Sequence, residues 1–345
     1  MRTRKPFLRT LIFTFILTIV LTMVQLPYYV STPGMAKELS PIIKVDGGFE
    51  EQGTFMLTTV RIGQANVLQY AVAHFRDFHH IYPEDQIKPP GESDEEYHKR
   101  QLHMMDTSKE AASYIAYKHA GKEVKVQDDG VYVMAVLEGM PAEGKLEAGD
   151  RVTAVDGKPV QSAEQLIKYV EDLKPGTQVK LDVERVKGGE EQVTIELAKF
   201  PDKPEKVGVG ISLVTDREVI VKPNVKIDTA EIGGPSAGLM FSLEIYNQLT
   251  EQDLTHGLRV AGTGTMNYEG QVGPIGGIEQ KIVAADKSEA DIFFAPNEQG
   301  AKGSNYQNAL KAAEQIHTDM KIVPVDTFED AVQYLENLSK KAEAA

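Results

Sequence analysis

A glycine-rich turn that leads into a helix constrains this chain more than any other feature. Residues 233–238 read Gly-Gly-Pro-Ser-Ala-Gly, and the amphipathic segment that follows predicts a helix over 237–250. Glycines permit a tight turn and a close approach of other atoms to the backbone. The serine of this turn, Ser236, stands beside the free N–H groups and the positive dipole end of the helix. The turn can therefore present the Ser236 hydroxyl to a substrate.

A lysine on the apolar side of a second predicted helix can act with this serine. Lys281 follows Ser236 by 45 residues, in a predicted helix over 278–287. At helical spacing it shares a side with Ile278 and Ala285. A serine hydroxyl needs a base, and lysine can serve only if burial lowers its pKa from about 10.4 towards roughly 7–8. The pair is what a Ser-Lys peptidase requires.

The turn also predicts how an oxyanion would be stabilised. Gly233, Gly234 and Ala237 are candidates for shaping the turn and for supplying backbone N–H groups to a developing negative charge. Pro235 has no N–H, so it cannot be one of the donors.

Composition narrows the class of protein. The 345 residues are enough for about two domains. A formal net charge of −14 argues against general affinity for nucleic acid. The absence of cysteine excludes thiol catalysis, disulfides and thiolate metal sites. We expect no cofactor and no metal.

The N-terminus predicts a membrane anchor. A basic segment over 1–9 precedes an apolar run, and Tyr28 and Tyr29 at its end would suit a membrane interface. We predict an uncleaved transmembrane signal anchor over 10–30, rather than a cleaved signal peptide. The N-terminus would then lie in the cytoplasm, and the catalytic domain would lie outside the cell membrane.

The segment 122–200 has the pattern of a separate module. It contains Leu-Glu-Ala-Gly-Asp-Arg-Val at 146–152, Val-Asp-Gly-Lys-Pro-Val at 155–160, a helix that starts near Ser162 and two closing strands. This segment resembles a PDZ domain of the kind associated with bacterial proteases. PDZ domains bind extended peptides at a sheet edge beside a helix. Groove candidates on this helix are Leu166, Ile167 and Val170, although such residues more often form only core.

Strands and helices alternate over the predicted domain 205–340, and its motifs resemble the proteolytic domain of Lon-type peptidases. Gly-Pro-Ser-Ala-Gly at 234–238 matches the nucleophile motif, and the run 270–281, ending in Gly-Gly-Ile-Glu-Gln-Lys, matches the lysine motif. The resemblance implies Ser236 as nucleophile, Lys281 as general base and Thr263 as support for the lysine. Where the family commonly has an aspartate, this chain has Gly233, so we expect local support of the site to differ.

The likeness extends upstream, because Phe55–Val60 and 106–120 look like the opening strand and first helix of that domain. We therefore expect an α+β fold in which a Lon-type domain (ribosomal S5 domain 2-like), with its N-terminal part over 36–120, carries an inserted PDZ domain. The short apolar runs 42–45 and 55–60, separated by glycines, predict a hairpin within that part.

The whole chain resembles the membrane-anchored, PDZ-containing Lon-like proteases of Gram-positive bacteria. This implies a serine endopeptidase that cleaves extracytoplasmic peptides or membrane-proximal proteins. The sequence shows no Gly-x-x-x-x-Gly-Lys-[Ser/Thr] run, which predicts independence from ATP. Expected partners are flexible or C-terminal peptide segments, the cytoplasmic membrane and further copies of the chain, with no nucleic acid.

Three other interpretations remain open at this point. The glycine-rich turn could cradle a phosphate, as in small-molecule kinases. The protein could be a catalytically inert PDZ adaptor at the membrane surface. Finally, a cluster of histidines and carboxylates could bind a metal, although it lacks the His-Glu-x-x-His spacing of helical zinc sites; its members are His74, His79, His80, Glu84 and Asp85.

Overall fold

The structure is a computed structural model that describes residues 4–89, 92–186, 188–201, 203–230 and 232–343. Its helices are α1 (Arg4–Met23), α2 (Val67–Ala73), α3 (Asp94–His119), α4 (Ala163–Glu171), α5 (Gly238–Leu249), α6 (Ile278–Asp286), α7 (Asn305–Ile316) and α8 (Phe328–Glu343). Short 3-10 helices cover Glu84–Gln86 and Glu298–Gly300.

The strands of the N-terminal and middle parts are β1 (Gln25–Glu38), β2 (Ile43–Val45), β3 (Thr54–Asn66), β4 (His80–Pro83), β5 (Glu123–Val136), β6 (Arg151–Val155), β7 (Lys158–Pro159), β8 (Gln178–Glu184), β9 (Glu190–Glu196), β10 (Ala198–Phe200), β11 (Lys203–Gly208) and β12 (Ile211–Lys222). Those of the C-terminal part are β13 (Val225–Ile227), β14 (Arg259–Gly262), β15 (Thr265–Met266), β16 (Val272–Gly273), β17 (Ile292–Pro296) and β18 (Lys321–Val325).

One mixed sheet unites the two ends of the chain. Its order is β18-β17-β14-β3-β1-β4. Strand β3 pairs antiparallel with β1 on one side and parallel with β14 on the other. Segments that are separated in sequence by the middle module therefore build a single domain, as expected for an insertion.

Helices cover both faces of this sheet, because successive side chains of a strand point to opposite sides. Phe55 and Leu57 of β3 pack with α3, α5 and α8 in one hydrophobic cluster. Met56, between them, packs with α6 and α7 in another. All five residues of β17 are buried, since helices lie on both sides of it. This three-layer arrangement fixes the positions of α5 and α6, which carry the candidate site.

The middle module has its own sheet and its own core. Its sheet runs β12-β5-β6-β8-β9, with β7 paired to β6. The core includes Val209 and Ile211, which lie beyond the predicted boundary at residue 200. The sheet of the module continues past that boundary in the structure, because β12 pairs with β5 over its whole length, from Ile211 opposite Val136 to Lys222 opposite Glu123. The module ends at the end of β12.

The predicted hairpin of 42–45 with 55–60 is wrong. Strand β2 pairs with β13, so its partner lies on the far side of the inserted module. Strand β3 pairs with β1 and β14 instead. Gly53 allows the chain to pass beside the loop before β14, since a Cβ there would lie only 2.2 Å from the Leu258 carbonyl oxygen.

The N-terminal region differs from the predicted anchor. Among the helices of the described ranges, none is both long and apolar enough to cross a membrane, so the span over 10–30 finds no support. Helix α1 ends at Met23, and the chain continues as β1. Tyr29 is buried within β1, with its hydroxyl 3.4 Å from Asp94 Oδ1, because it packs into the folded domain. Residues 1–3 of the predicted basic segment lie outside the described ranges.

Candidate active site

The fold brings Ser236, Thr263 and Lys281 together. Ser236 precedes α5, Thr263 follows β14, and Lys281 lies in the first turn of α6. Lys281 Nζ is 2.7 Å from Ser236 Oγ and 2.8 Å from Thr263 Oγ1. The side chain reaches the serine because α5 and α6 pack on opposite faces of the sheet, and β14 ends between them, one residue before Thr263.

Thr263 has a defined orientation. Its hydroxyl donates to the Ser236 carbonyl oxygen at 2.9 Å, so the lone pairs of Oγ1 face Lys281 and accept an N–H from it. A neutral amine has two N–H groups and one lone pair. With one N–H directed to Thr263, its lone pair can be directed to the Ser236 hydroxyl proton. This geometry allows Thr263 to fix the orientation of the amine beside Ser236.

Burial sets the charge state of Lys281. The residue is only 2% exposed and Thr263 is fully buried. Loss of hydration disfavours the ammonium form and lowers the pKa of Lys281 from 10.5 to about 7. A substantial fraction of Lys281 is therefore neutral near neutral pH, as a general base must be.

The turn leaves two backbone N–H groups beside the Ser236 hydroxyl. No described residue accepts a hydrogen bond from the N–H of Ser236 or of Ala237. Ala237 is the N-cap of α5, and no side chain caps this helix end. Gly234, by contrast, donates its N–H to the Gln101 carbonyl at 2.7 Å. In this structure the Gly234 N–H is therefore bonded to α3, and Gly234 keeps its expected place in the turn.

Close contact with α3 accounts for a glycine at 233. A Cβ at this position would lie 2.7 Å from Gln101 Cβ and 3.2 Å from the Gln101 backbone carbon. Contacts this short require backbone movement, so an aspartate cannot enter the turn while α3 holds its position. Gly233 is explained by packing. Its φ is not positive, so left-handed backbone conformation plays no part.

A cleft of about 1070 Å³ leads to Ser236 and Lys281. Its lining includes residues 58–62 of β3, together with Tyr97 and Gln101 of α3. Strand β14 pairs with β3 only over residues 54–57. No described strand pairs with 58–62 on that side, so the cleft contains an open strand edge.

The groove candidates of the middle module line a second cavity. Leu166, Ile167 and Val170 face a space of about 310 Å³ whose opposite wall is formed by Val207–Ile211 and Leu213. Leu166 and Val170 also belong to the core, whereas Ile167 is 43% exposed. The opposite wall was missed from the sequence, although Gly-Val-Gly-Ile at 208–211, before a β-branched run, marks a strand that others can approach closely.

The histidine cluster does not assemble a metal site. His74 Nδ1 lies 2.9 Å from the Tyr70 carbonyl, and His80 Nε2 lies 2.9 Å from Glu279 Oε2. Within the described ranges, no group of three or more potential metal-binding side chains converges.

Two segments of the chain match known protein families. Residues 118–197 match the PDZ domain, and residues 191–337 match the Lon protease (S16) C-terminal proteolytic domain. The second match contains Ser236, Thr263 and Lys281.

Individual relatives agree with these matches. The chain is 33% identical over 102 residues to the Lon protease of Campylobacter jejuni, which covers 29% of this chain and 12% of that protein. It is 27% identical over 151 residues to the Lon protease of Metamycoplasma arthritidis, which covers 44% and 17%. The chain thus spans less than a fifth of these relatives' own length.

Among solved structures, the PDZ domain of an SdrC-like protein from Listeria monocytogenes is 38% identical. The alignment covers 26% of this chain and 93% of that one, with a TM-score of 0.24. The two family matches thus lie side by side in the chain: one segment matches a PDZ domain, and the segment that follows matches the C-terminal proteolytic domain of the Lon proteases.

Proposed function

We propose that this protein is a serine endopeptidase in which Ser236 is the nucleophile and Lys281 the general base. The observation that carries the proposal is the 2.7 Å separation of Lys281 Nζ and Ser236 Oγ in a buried environment. Neutral Lys281 takes the proton of the Ser236 hydroxyl as Oγ attacks a peptide carbonyl carbon. The resulting ammonium then donates that proton to the leaving amine.

The acyl-enzyme is resolved by the same groups. Lys281 takes a proton from a water molecule as that water attacks the ester carbonyl. The Lys281 ammonium then returns the proton to Ser236 Oγ as the C–O bond breaks and the acid leaves. The unpartnered N–H groups of Ser236 and Ala237 stabilise the oxyanion of both tetrahedral intermediates. Their position before α5 adds the positive end of the helix dipole.

The cleft favours an extended peptide as substrate. The open edge of β3 at residues 58–62 offers backbone groups for pairing with an added strand, beside the nucleophile. A folded protein cannot present such a strand, so flexible segments are the substrates we propose. ATP independence is proposed because these 345 residues contain no P-loop sequence.

The PDZ domain assists substrate recognition in this proposal. The apolar cavity between α4 and β12 can accept the terminal side chains of an extended peptide. An inert PDZ adaptor is the alternative function, and the catalytic variants below distinguish it.

Proteolysis of an unfolded protein such as casein, measured without ATP, tests the proposal. We expect wild type to cleave casein, and Ser236→Ala and Lys281→Ala each to lose at least about 10³-fold in kcat. Ser242→Ala is a matched control, because Ser242 is a buried serine on α5, the helix that follows the turn. Among the described residues, its Oγ bonds only to the Gly238 carbonyl. Full activity of Ser236→Ala would refute the nucleophile. A wild type that binds peptides without cleaving them would support the adaptor.

We also propose that the N-terminal segment associates with the cytoplasmic membrane and places both domains outside it. The support is the basic cluster at the start of the sequence and the exposure of apolar side chains on α1, such as Phe15 at 67% and Met23 at 76%. Fractionation of cells and protease treatment of spheroplasts test this. A full-length chain found in the cytosolic fraction would contradict the proposed membrane association. Assembly into homo-oligomers stays a prediction.

A further inference from the structure

A buried serine on α3 contacts the nucleophile turn from outside the catalytic group. Ser108 lies in the middle of α3, is buried, and does not line the cleft. Its Oγ donates a hydrogen bond to the Pro235 carbonyl oxygen at 3.0 Å. Pro235 immediately precedes Ser236, so this bond fixes one end of the peptide plane that links the two residues.

The planarity of that peptide transmits the contact to the Ser236 N–H. In a trans peptide the C=O and the N–H point in opposite directions. Because Ser108 holds the Pro235 C=O towards α3, the Ser236 N–H points away from Ser108. No described residue accepts a hydrogen bond from it. An N–H held in this way needs no reorganisation when an oxyanion forms beside it.

The next peptide is held by the same principle. The Ser236 carbonyl accepts from Thr263 Oγ1 and from the Gly264 N–H, both at 2.9 Å. The Ala237 N–H of that peptide is therefore directed away from Thr263. Two successive N–H groups are thus oriented by bonds to the carbonyls in front of them, and Ser108 is the side chain that orients the first.

The upstream part of the turn cannot replace Ser108. The Gly234 N–H bonds to the Gln101 carbonyl, which holds the peptide between Gly233 and Gly234 and leaves the peptide after Pro235 untouched. Among the described residues, the peptide after Pro235 has one hydrogen-bond partner, the Ser108 hydroxyl. Without it, this peptide can rotate about the bonds on either side.

We propose that Ser108 is a positioning residue that orients the Ser236 N–H as an oxyanion donor. The inference rests on the proposed peptidase function. It predicts a loss of transition-state stabilisation, with substrate binding and the titration of Lys281 unchanged.

Kinetics of Ser108→Ala on a short fluorogenic peptide test this inference. Loss of one oxyanion donor lowers kcat by about 10²–10³-fold in other peptidases, and since the N–H is misaligned and not removed, we expect a loss of about 10–100-fold. KM and the midpoint of the pH–rate profile should remain at the wild-type values. Affinity for a peptide boronic acid, whose tetrahedral adduct carries an oxyanion, should fall by the same factor as kcat/KM.

Two further variants make the result decisive. Ser113→Ala removes another buried hydroxyl from α3 and should keep full activity. Among the described residues, this hydroxyl bonds only to the Lys109 carbonyl. Ser108→Cys keeps the shape but donates weakly, so it should also lose kcat, even if Ser108→Ala folds poorly. Wild-type kcat in Ser108→Cys, an equal loss in Ser113→Ala, or a shifted pH midpoint would each overturn the proposal. A wild type without Ser236-dependent cleavage would instead overturn the peptidase function, and this inference with it.

Discussion

At the scale of single residues, the burial of Lys281 determines what the site can do. Its ammonium form has no counterion within the hydrogen-bonded group, and burial alone lowers its pKa to about 7. Since the neutral amine is the base, kcat/KM should rise with pH through about 7 and level off above it. Hydrolysis of a peptide measured between about pH 5.5 and 9 tests this. A midpoint close to 10 would show that Lys281 is solvated in solution.

Gly233 leads to a steric prediction. Gly233→Asp restores the residue that the family commonly has, but its Cβ would enter the space of Gln101. Overpacking of this kind costs about 1–3 kcal/mol, so we expect a loss of roughly 10-fold or more in kcat/KM as α3 or the turn shifts. Gly276→Asp is a matched control on the same cleft, because a Cβ there meets no atom within 4 Å. Equal activity of Gly233→Asp and wild type would contradict the steric argument.

Some of these residues could be identified from the sequence and others could not. The glycine-rich turn and the apolar side of α6 are local patterns, and each of them marks one candidate residue, Ser236 or Lys281. Ser108 and Gln101 carry no such signal. Ser108 contacts the turn across 127 residues of sequence, and its role follows only from how α3 packs on α5.

At the scale of elements, local pattern predicted strands and helices better than it predicted their partners. The expected helices over 237–250 and 278–287 correspond closely to α5 and α6. The hairpin of 42–45 with 55–60 failed, because β2 finds its partner in β13 after the inserted module. Pairing across an insertion leaves no periodic signal in either strand.

Helix α5 contributes one member of a carboxyl pair that should make stability depend on pH. Glu244 of α5 is fully buried beside Glu51. Burial, and for Glu51 also the neighbouring Glu244, raises the pKa of both groups above the ordinary value of 4.5. The folded protein thus holds protons that the unfolded chain releases above about pH 4.5, so stability should fall as pH rises from there.

Glu51→Gln removes the contribution of Glu51 to this dependence, because an amide does not titrate. Between about pH 5 and pH 8 its Tm should fall by several degrees less than that of wild type. The exposed neighbour gives the control, since Glu50→Gln should follow the wild-type curve. Parallel curves for wild type and Glu51→Gln in thermal unfolding would contradict the shared-proton interpretation.

At the scale of the whole molecule, the PDZ domain is attached by paired strands. Strands β5 and β12 enter and leave it side by side, and the last pair is Glu123 with Lys222. Helix α3 contacts the same ladder, where the His103 ring stacks on Tyr132 with centroids 3.6 Å apart. The helix that holds the nucleophile turn therefore also contacts the PDZ domain.

This attachment determines which deletion is informative. Replacing 123–222 by a short Gly-Ser linker joins adjacent ends, so we expect the peptidase domain to fold and to hydrolyse a short peptide. Cleavage of casein should fall by about 10-fold relative to that peptide, as expected when a second binding site is lost. Deleting 122–200 gives the contrasting variant, because it removes β5 and leaves β12 without its partner strand. The unpaired edge of β12 should cause this variant to aggregate. Equal loss on both substrates would indicate a structural role for the PDZ domain.

The ladder of β5 and β12 also makes the insertion point a natural place for exchange of modules. Any domain whose first and last strands are neighbours can be joined at Glu123 and Lys222 without changing the path of the peptidase chain. Recognition can in this way diversify while the hydrolytic chemistry stays constant. The same junction offers protein engineers a position at which a new targeting domain can redirect the proposed protease.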